Sequence, residues 1–390
     1  MAAGEEERIG LLRLNLTGGI GARLYRRLLD RFGSLDAVFR ANPGELTKIK
    51  RIGPVLAGNI LRKGAEEEAR DEERRAKEKG LKILTLGQDG FPRALEDLFD
   101  PPLVLYVLGD MEEGDADAVA VVGARDASHY GLSQSERFAR GLASRGITVV
   151  SGMARGIDSA AHRGALKAGG RTLAILGSGF SHLYPAENTS LAGKIAQSGA
   201  VISEFPLDAA PLKPHFPRRN RIISGLALGV LVIEAARRSG SLITVDWALE
   251  QGREVFALPG RVDMPGSRGV HRLIKQGAHM VEDPEDILEI LGFSCMPGEG
   301  GPVAPEGLEE LSPLEEKIFA LLTVELTNIE QIVDASELPV SLVYRALTNL
   351  EVRRLVRQYP GKNFVRLCDP RPPARWGAAC EPDQVAQVRR

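Results

Sequence analysis

Cysteine is scarce in this 390-residue sequence: three are present, Cys295, Cys368 and Cys380, and no two stand at C-x-x-C spacing. That excludes a disulfide framework and a zinc site, and it fits a reducing compartment, the cytoplasm. An excess of one charge is also missing. The formal net charge is −2 and the isoelectric point about 6.4, so any affinity for nucleic acid has to come from a local patch. No apolar run approaches the roughly 18 residues that a membrane helix requires. The opening residues, MAAGEEERIG, are acidic and lack the apolar stretch of a secretory signal. Chemical signatures are missing too. There is no Walker A, H-E-x-x-H or G-x-S-x-G pattern, and no set of spaced carboxylates for a metal. The dinucleotide fingerprint fails at His182, where a third glycine would have to follow Gly177-Ser178-Gly179. What is left is a soluble chain with no expected cofactor, no expected metal and no assignable catalytic set.

What is present is ordinary globular composition, 43% hydrophobic and 26% charged, in a length that predicts about two or three domains. Residues 1–79 read as helices, with apolar residues at helical spacing through Ile9, Leu12 and Leu16, then Leu24, Leu28, Leu29 and Phe32. Gly18-Gly19-Ile20-Gly21 and Arg51-Ile52-Gly53-Pro54 each precede a helical stretch. They resemble the turns of a tandem helix-hairpin-helix module, as found in DNA-binding proteins; a small bundle whose glycines merely make tight turns is the alternative. Arg62 to Lys79 mixes both charge signs at i,i+4 spacing, as a solvated helix face does.

Residues 80–295 change to strands alternating with helices. Lys82–Leu86, Leu103–Leu108, Ala118–Val122, Thr148–Val150, Thr172–Leu176, Ala200–Ile202, Gly229–Ile233 and Glu254–Leu258 are β-rich runs, which predicts an α/β fold with a mostly parallel, Rossmann-like sheet. Residues 296–307 (MPGEGGPVAPEG) read as a linker. Residues 308–368 carry three helical stretches and a hairpin around Pro360-Gly361, a winged helix, and 369–390 read as a disordered tail.

In a parallel sheet ligands bind outside the carboxyl ends of the strands, so the loops there matter most. After Val122 comes Arg125, placed to pair with phosphate or stack on a base, or else to make an ion pair on the sheet edge. After Val150 come Ser151, Gly152, Arg155 and Gly156, small and cationic enough for an anion nest in which Ser151 and the nearby amides donate; Asp158 reads as a helix cap. The stretch from Lys213 to Arg221 gathers Lys213, Arg218, Arg219 and Arg221 around His215 and Phe216 with no acid among them. Cations meet phosphates and Phe216 offers a stacking face, a mixture that suits unpaired strands; a basic loop whose Phe plugs the core is the alternative. Leu226 to Ile233 follows as a buried strand, and Ser239, Gly240 and Ser241 open the next helix with free amides facing outward.

These residues carry a resemblance. GARDASHYG, SGMARGIDSAAH, LGSG with YPAEN, SEFP, FPRRNRIISGLA, EA with RSGSLIT, ALEQGREVFALPG and SRG stand in the order seen in the DNA-processing protein A (DprA/Smf) family, over Leu81 to Leu291. The resemblance implies a non-enzymatic Rossmann-like protein that binds single-stranded DNA, dimerises through the same domain and loads the RecA recombinase during natural transformation. It implies that Arg125 lies at the DNA pocket and that Ser151, Gly152, Arg155 and Gly156 face phosphate. It also implies that Lys213, Phe216, Arg218, Arg219 and Asn220 grip the strand, with Ser239 to Ser241 alongside. The chain departs from the family pattern at Phe180-Ser181-His182, where many relatives carry an acid, and at His271, which replaces a frequent asparagine. The third helix of the winged-helix region offers only Arg345 before Arg353-Arg354, which leaves duplex binding and protein contact equally open for it. One rival reading is a nucleotide-cleaving hydrolase of the lysine-decarboxylase-like phosphoribohydrolase type. Its Pro-Gly-Gly-x-Gly-Thr motif is replaced here by Ser239-Gly240-Ser241. A scaffold that contacts recombinase without touching DNA is a third.

Overall fold

The computed structural model describes residues 2–293, 311–323, 327–336, 338–353, 355–359 and 362–366. The expected linker at 296–307 and tail at 369–390 lie outside them. Six helices come first: α1 (Ala2–Thr17), α2 (Ala22–Phe32), α3 (Leu35–Arg40), α4 (Pro43–Leu46), α5 (Pro54–Ile60) and α6 (Ala65–Glu78). Each boundary has a local cause. Gly33, at a φ of 78°, stops α2 in a left-handed turn, and Asn42 with Glu45 makes a capping box for α4. In α1 the stripe of Ile9 and Leu12 is buried as its spacing predicts, but Leu11 and Leu14 are fully buried as well. They are covered because α1 lies between the other helices and Val104 and Tyr106 of the sheet, all in one core. Each such leucine contributes about 1.5–3 kcal/mol by leaving water. The helical region and the sheet therefore form one compact unit.

The sheet has nine strands: β1 (Lys82–Thr85), β2 (Val104–Gly109), β3 (Ala118–Gly123), β4 (Thr148–Ser151), β5 (Thr172–Ile175), β6 (Ala200–Ser203), β7 (Gly229–Ile233), β8 (Glu254–Ala257) and β9 (His279–Met280). Their order is β1-β2-β6-β5-β4-β3-β7-β8-β9. From β6 to β9 all pairs are parallel, whereas β2 runs antiparallel to both β1 and β6. The sheet is mostly parallel, as the alternation of strand and helix predicts. Ala120 pairs with Val150 on one side and Val230 on the other, so β3 is the centre of the sheet. The chain moves one way from β3 to β6 and then returns to lay β7 to β9 on the opposite side, so the loops after β3 and β7 part at a switch point.

Helices cover both faces, which is why β3, β4 and β7 are apolar without alternation. Between β2 and β1 lies the short α7 (Arg93–Glu96). On one face α8 (His129–Ala143) and α9 (Ile157–Lys167) bury Phe138, Leu142 and Ile157 against Val119, Val121 and Leu231. The helix α10 (Thr189–Ser198) packs near β6. On the other face α11 (His215–Gly225), α12 (Ser241–Glu250) and α13 (Arg268–Lys275) bury Ile222, Val245 and Val270 against Ala120, Val122 and Val230. The apolar run from Leu226 becomes strand only at Gly229, because Leu226 and Ala227 close the turn that ends α11. α14 (Pro284–Ile290) ends the unit.

The second unit has α15 (Pro313–Leu321), β10 (Thr327–Asn328), α16 (Ile329–Ser336), α17 (Val340–Val352), β11 (Val356–Tyr359) and β12 (Asn363–Arg366). Ser312 and Glu315 form a capping box on α15. Ile318, Phe319, Val343, Leu347 and Phe364 make its core. Three helices and a hairpin are the expected winged helix, with the unexpected short β10 added to the sheet in the order β10-β12-β11.

Candidate nucleic-acid interface

A recess of about 350 Å³ opens at the carboxyl ends of β3, β4 and β5. Arg125, Gly152, Arg155, Tyr184, Phe216 and Arg219 line it. Four separate stretches of chain meet there, and glycines let them approach. Gly156 adopts a φ of 75°, and a β-carbon on it would overlap the carbonyls of Ala124 and Arg125. The loop after β4 is thus pressed against the loop after β3, and the Ile157 N–H donates to the Ala124 carbonyl at 3.2 Å. Gly177, after β5, lies under the Phe216 ring, whose nearest carbon would be 2.7 Å from an added β-carbon.

Phe216 is the aromatic centre of the recess. The guanidinium carbon of Arg125 is 5.3 Å from its ring centroid, and the Tyr184 ring meets it edge-on at 5.8 Å and 61°. Arg125 is exposed and Phe216 half-buried. Phe216 stands in the first turn of α11, where Pro217 is tolerated because the early N–H groups have no helical acceptor.

The other cations divide by depth. Arg219 is buried, and its Nη1 donates to the Gly152 carbonyl at 2.7 Å and to the Ile175 carbonyl. Burial lowers its pKa to about 10, with Asp158 pulling it back up and Arg125 adding to the fall, so it stays charged at neutral pH. It is a clamp between the loop after β4 and the end of β5 whose edge reaches the recess, not the free surface cation expected. Arg155 is exposed and pairs both ways with Glu187, at 2.6 and 2.7 Å, which raises its pKa. Arg218 lies 3.0 Å from Glu204, and the buried Arg221 lies 2.6 Å from the same carboxylate. The stretch without an acid in sequence is therefore supplied with one by the residue that follows β6. Lys213 is exposed just before α11 and outside the recess lining.

The expected anion nest after β4 is occupied by the protein itself. The buried Asp158 carboxylate accepts from the Gly152 and Ala154 N–H groups at 3.2 and 3.3 Å. Burial raises the pKa of Asp158 while Arg219 and those amides oppose the rise. Ser151 does not donate into the recess either; its hydroxyl is buried and bonds the Val121 carbonyl at 2.6 Å. Of the Ser239, Gly240 and Ser241 amides, those of Ser239 and Ser241 are used inside the turn, while the exposed Gly240 N–H has no acceptor among the described hydrogen bonds. The Ser239 and Ser241 hydroxyls bond each other at 2.7 Å, and the Ser241, Leu242 and Ile243 N–H groups are used within the turn. Asn220 is nearly buried and donates to the Gly240 carbonyl at 3.4 Å, which fastens this turn to α11. Of the thirteen residues expected from the sequence, Arg125, Gly152, Arg155, Phe216 and Arg219 line the recess, and Gly156 closes it from below.

Sequence reasoning missed Tyr184, Glu187, Glu204 and Glu234. Glu234, directly after β7 and at a φ of 52°, accepts from the N–H and hydroxyl of Ser128 and so holds the serine whose hydroxyl caps α8 by accepting from the Gly131 N–H. The available signal was position: Glu204 and Glu234 each follow a buried strand at its carboxyl end, where a charge has to be matched. Among the described residues no group of three or more His, Cys, Asp or Glu could hold a metal, and no helix is long and apolar enough to cross a membrane.

Comparison with known proteins places these features in a family. The family model for DNA recombination-mediator protein A matches residues 82–292, a DprA winged helix model matches 302–362, and a SAM-like helix-hairpin-helix tandem model matches 16–64. Protein Smf of Escherichia coli (strain K12) is 45% identical over 290 residues, 73% of this chain and 77% of its own. Protein Smf of Synechocystis is 32% identical over 381 residues, 89% of this chain and 96% of its own. The X-ray structure of DNA processing protein A from Streptococcus pneumoniae matches with a TM-score of 0.63 at 34% identity, over 72% of this chain and 95% of that one.

Proposed function

The chain belongs to the DNA recombination-mediator protein A family, DprA/Smf, and from that membership and the geometry of the rim we propose that it holds single-stranded DNA there. The observation that carries this reading is the meeting of Arg125 and Phe216, 5.3 Å apart, beside Arg219 and Tyr184. A phosphate pairs with the exposed Arg125, and a base stacks in the aromatic corner of Phe216 and Tyr184. Stacking of this kind contributes roughly 1–3 kcal/mol per base and needs no particular sequence, but it does need the base to be unpaired. Lys213 and Arg218, both exposed at the head of α11, extend the cationic path beyond the recess.

No bond is made or broken in this scheme. The protein acts as a mediator that shields the strand and delivers it to the RecA recombinase, working as a homodimer in the cytoplasm. Release of free base from nucleoside monophosphates by the purified chain would contradict it and favour the hydrolase reading. The direct test compares single- and double-stranded oligonucleotides across a salt titration. Tighter binding of the single strand, lost on Arg125→Ala together with Phe216→Ala, supports the rim; an unchanged affinity in that double variant overturns it.

A further inference from the structure

Arg155 lines the recess, yet its guanidinium is already engaged. Its Nε and Nη2 donate to the two carboxylate oxygens of Glu187 at 2.6 and 2.7 Å. This two-pronged contact fills the planar fork with which an arginine meets a phosphate. The other recess arginines are engaged differently. Arg125 faces the Phe216 ring, and Arg219 bonds two backbone carbonyls. Among the described ion pairs, Arg155 is the one recess cation that a carboxylate holds.

The backbone places the two partners. Arg155 precedes Gly156, whose close approach presses the loop after β4 against the loop after β3. Glu187 precedes Asn188, a nearly buried residue whose side-chain amide donates to the Met153 carbonyl and to the Ser159 hydroxyl, both at 2.8 Å. Asn188 thereby fastens its own segment to the loop after β4 and to the start of α9. The same segment carries Tyr184, edge-on to Phe216. The Arg155 and Glu187 side chains are 60% and 53% exposed, so the pair opens without disturbing the core. Their contact lowers the pKa of Glu187 and raises that of Arg155, and both stay ionised at neutral pH.

We propose that Glu187 is an internal competitor for phosphate, which occupies Arg155 and so limits how tightly the recess holds a strand. The inference rests on the single-strand reading of the rim. Without Glu187, Arg155 adds a phosphate contact to the one at Arg125. With it, a phosphate that approaches Arg155 has to displace a carboxylate and then lies beside that carboxylate, like charge against like. A strand seated in the corner of Phe216 and Tyr184 is therefore held by stacking and few ionic contacts. It leaves more readily than the count of arginines in the recess implies, which suits a protein that passes its strand on.

Fluorescence anisotropy of the full chain with a labelled oligothymidylate, read at several salt concentrations, tests this in four proteins: the parent, Glu187→Gln, Arg155→Ala and the variant carrying both changes. Glu187→Gln keeps the size of the side chain and removes its charge. It is expected to tighten binding by about two- to fivefold, the range that an exposed ion pair resists. It is also expected to steepen the log–log salt slope by about 0.7, the value of one further phosphate contact on a single strand. In the Arg155→Ala background the same change is expected to leave the slope as it was, because no arginine is released. An unchanged slope in Glu187→Gln overturns the proposal. So does a slope that steepens equally in both backgrounds, since the acid then acts by general repulsion and not through Arg155. Arg125→Ala together with Phe216→Ala scores the rim separately. Loss of binding there beside an unchanged slope in Glu187→Gln sinks the role of Glu187 alone, whereas parental binding in that double variant sinks the rim.

Discussion

The guanidinium of Arg219 occupies the space that a side chain at Gly152 would need: an added β-carbon would lie 2.5 Å from its Nη1. The same Nη1 donates to the Gly152 carbonyl, so the glycine and the arginine fix each other. Gly152→Ala is expected to push Arg219 off that carbonyl and strand a buried charge, at a cost of about 1–3 kcal/mol in stability. Gly193, in α10 with nothing within 4 Å of its added β-carbon, provides the control. Gly193→Ala is expected to be neutral or to stabilise by up to about 1 kcal/mol. Thermal unfolding of the two variants decides between them, and equal melting temperatures would show that Arg219 has room to move.

Arg125 and Phe216 should fail differently. Arg125 meets phosphate, so Arg125→Ala is expected to flatten the salt dependence of single-strand binding by about 0.7 in log–log slope. Phe216 meets a base, so Phe216→Ala is expected to cost roughly 1–3 kcal/mol in affinity with the slope unchanged. Binding isotherms at four or five salt concentrations separate the two. If both variants alter the slope alike, Phe216 acts by holding Arg125 in place and not by stacking.

Much of the fold was legible because its signals are redundant. The strands β3 and β7 are unbroken apolar runs rich in valine, buried along nearly all their length. The strand β9 escaped because it is two residues long and exposed, with no pattern to read. At the site, residue types and neighbourhood were readable but depth was not. Arg218 and Arg219 are adjacent in sequence, yet on α11 one faces solvent and the other is buried, since successive helical residues lie on different faces. What decides their roles is a counter-charge or carbonyl brought from elsewhere: Glu204 for Arg218 and Arg221, Gly152 and Ile175 for Arg219. Such partners come from distant strands, and no local pattern announces them.

Glu204 makes the consequence measurable. Its carboxylate is buried and is the nearest acid to the buried Arg221, with Asp100 farther off at 3.8 Å. Glu204→Gln is expected to leave Arg221 poorly matched inside the protein and to cost about 3–5 kcal/mol. Arg218→Ala removes an exposed partner of the same carboxylate, and for such a pair a loss of only about 0–1 kcal/mol is expected. Urea unfolding of both variants checks the contrast. A small effect from Glu204→Gln would mean that Asp100 takes over the charge.

His162 carries a pH signature independent of any ligand. It is fully buried on α9, and its Nδ1 lies 2.7 Å from the Thr172 hydroxyl. That hydroxyl spends its one proton on the Val149 carbonyl at 2.7 Å, so it has to accept from His162, and the proton of the neutral ring sits on Nδ1. Nε2 has no partner. Burial, with Arg163 and Arg219 nearby, lowers the pKa to about 3 from an ordinary value of 6.5. The unfolded chain therefore takes up a proton at this histidine below 6.5 while the folded chain does not. The stability that follows is fully present above pH 6.5 and is lost as pH falls towards 3, at up to about 1.4 kcal/mol per unit. His162→Asn keeps an N–H donor near the position of Nδ1 but cannot titrate. It is expected to be less stable than the parent at pH 7.5, because of the space it leaves, and to lose less stability between pH 6.5 and 4. Parallel slopes in urea unfolding over that range would show that His162 protonates in the folded chain.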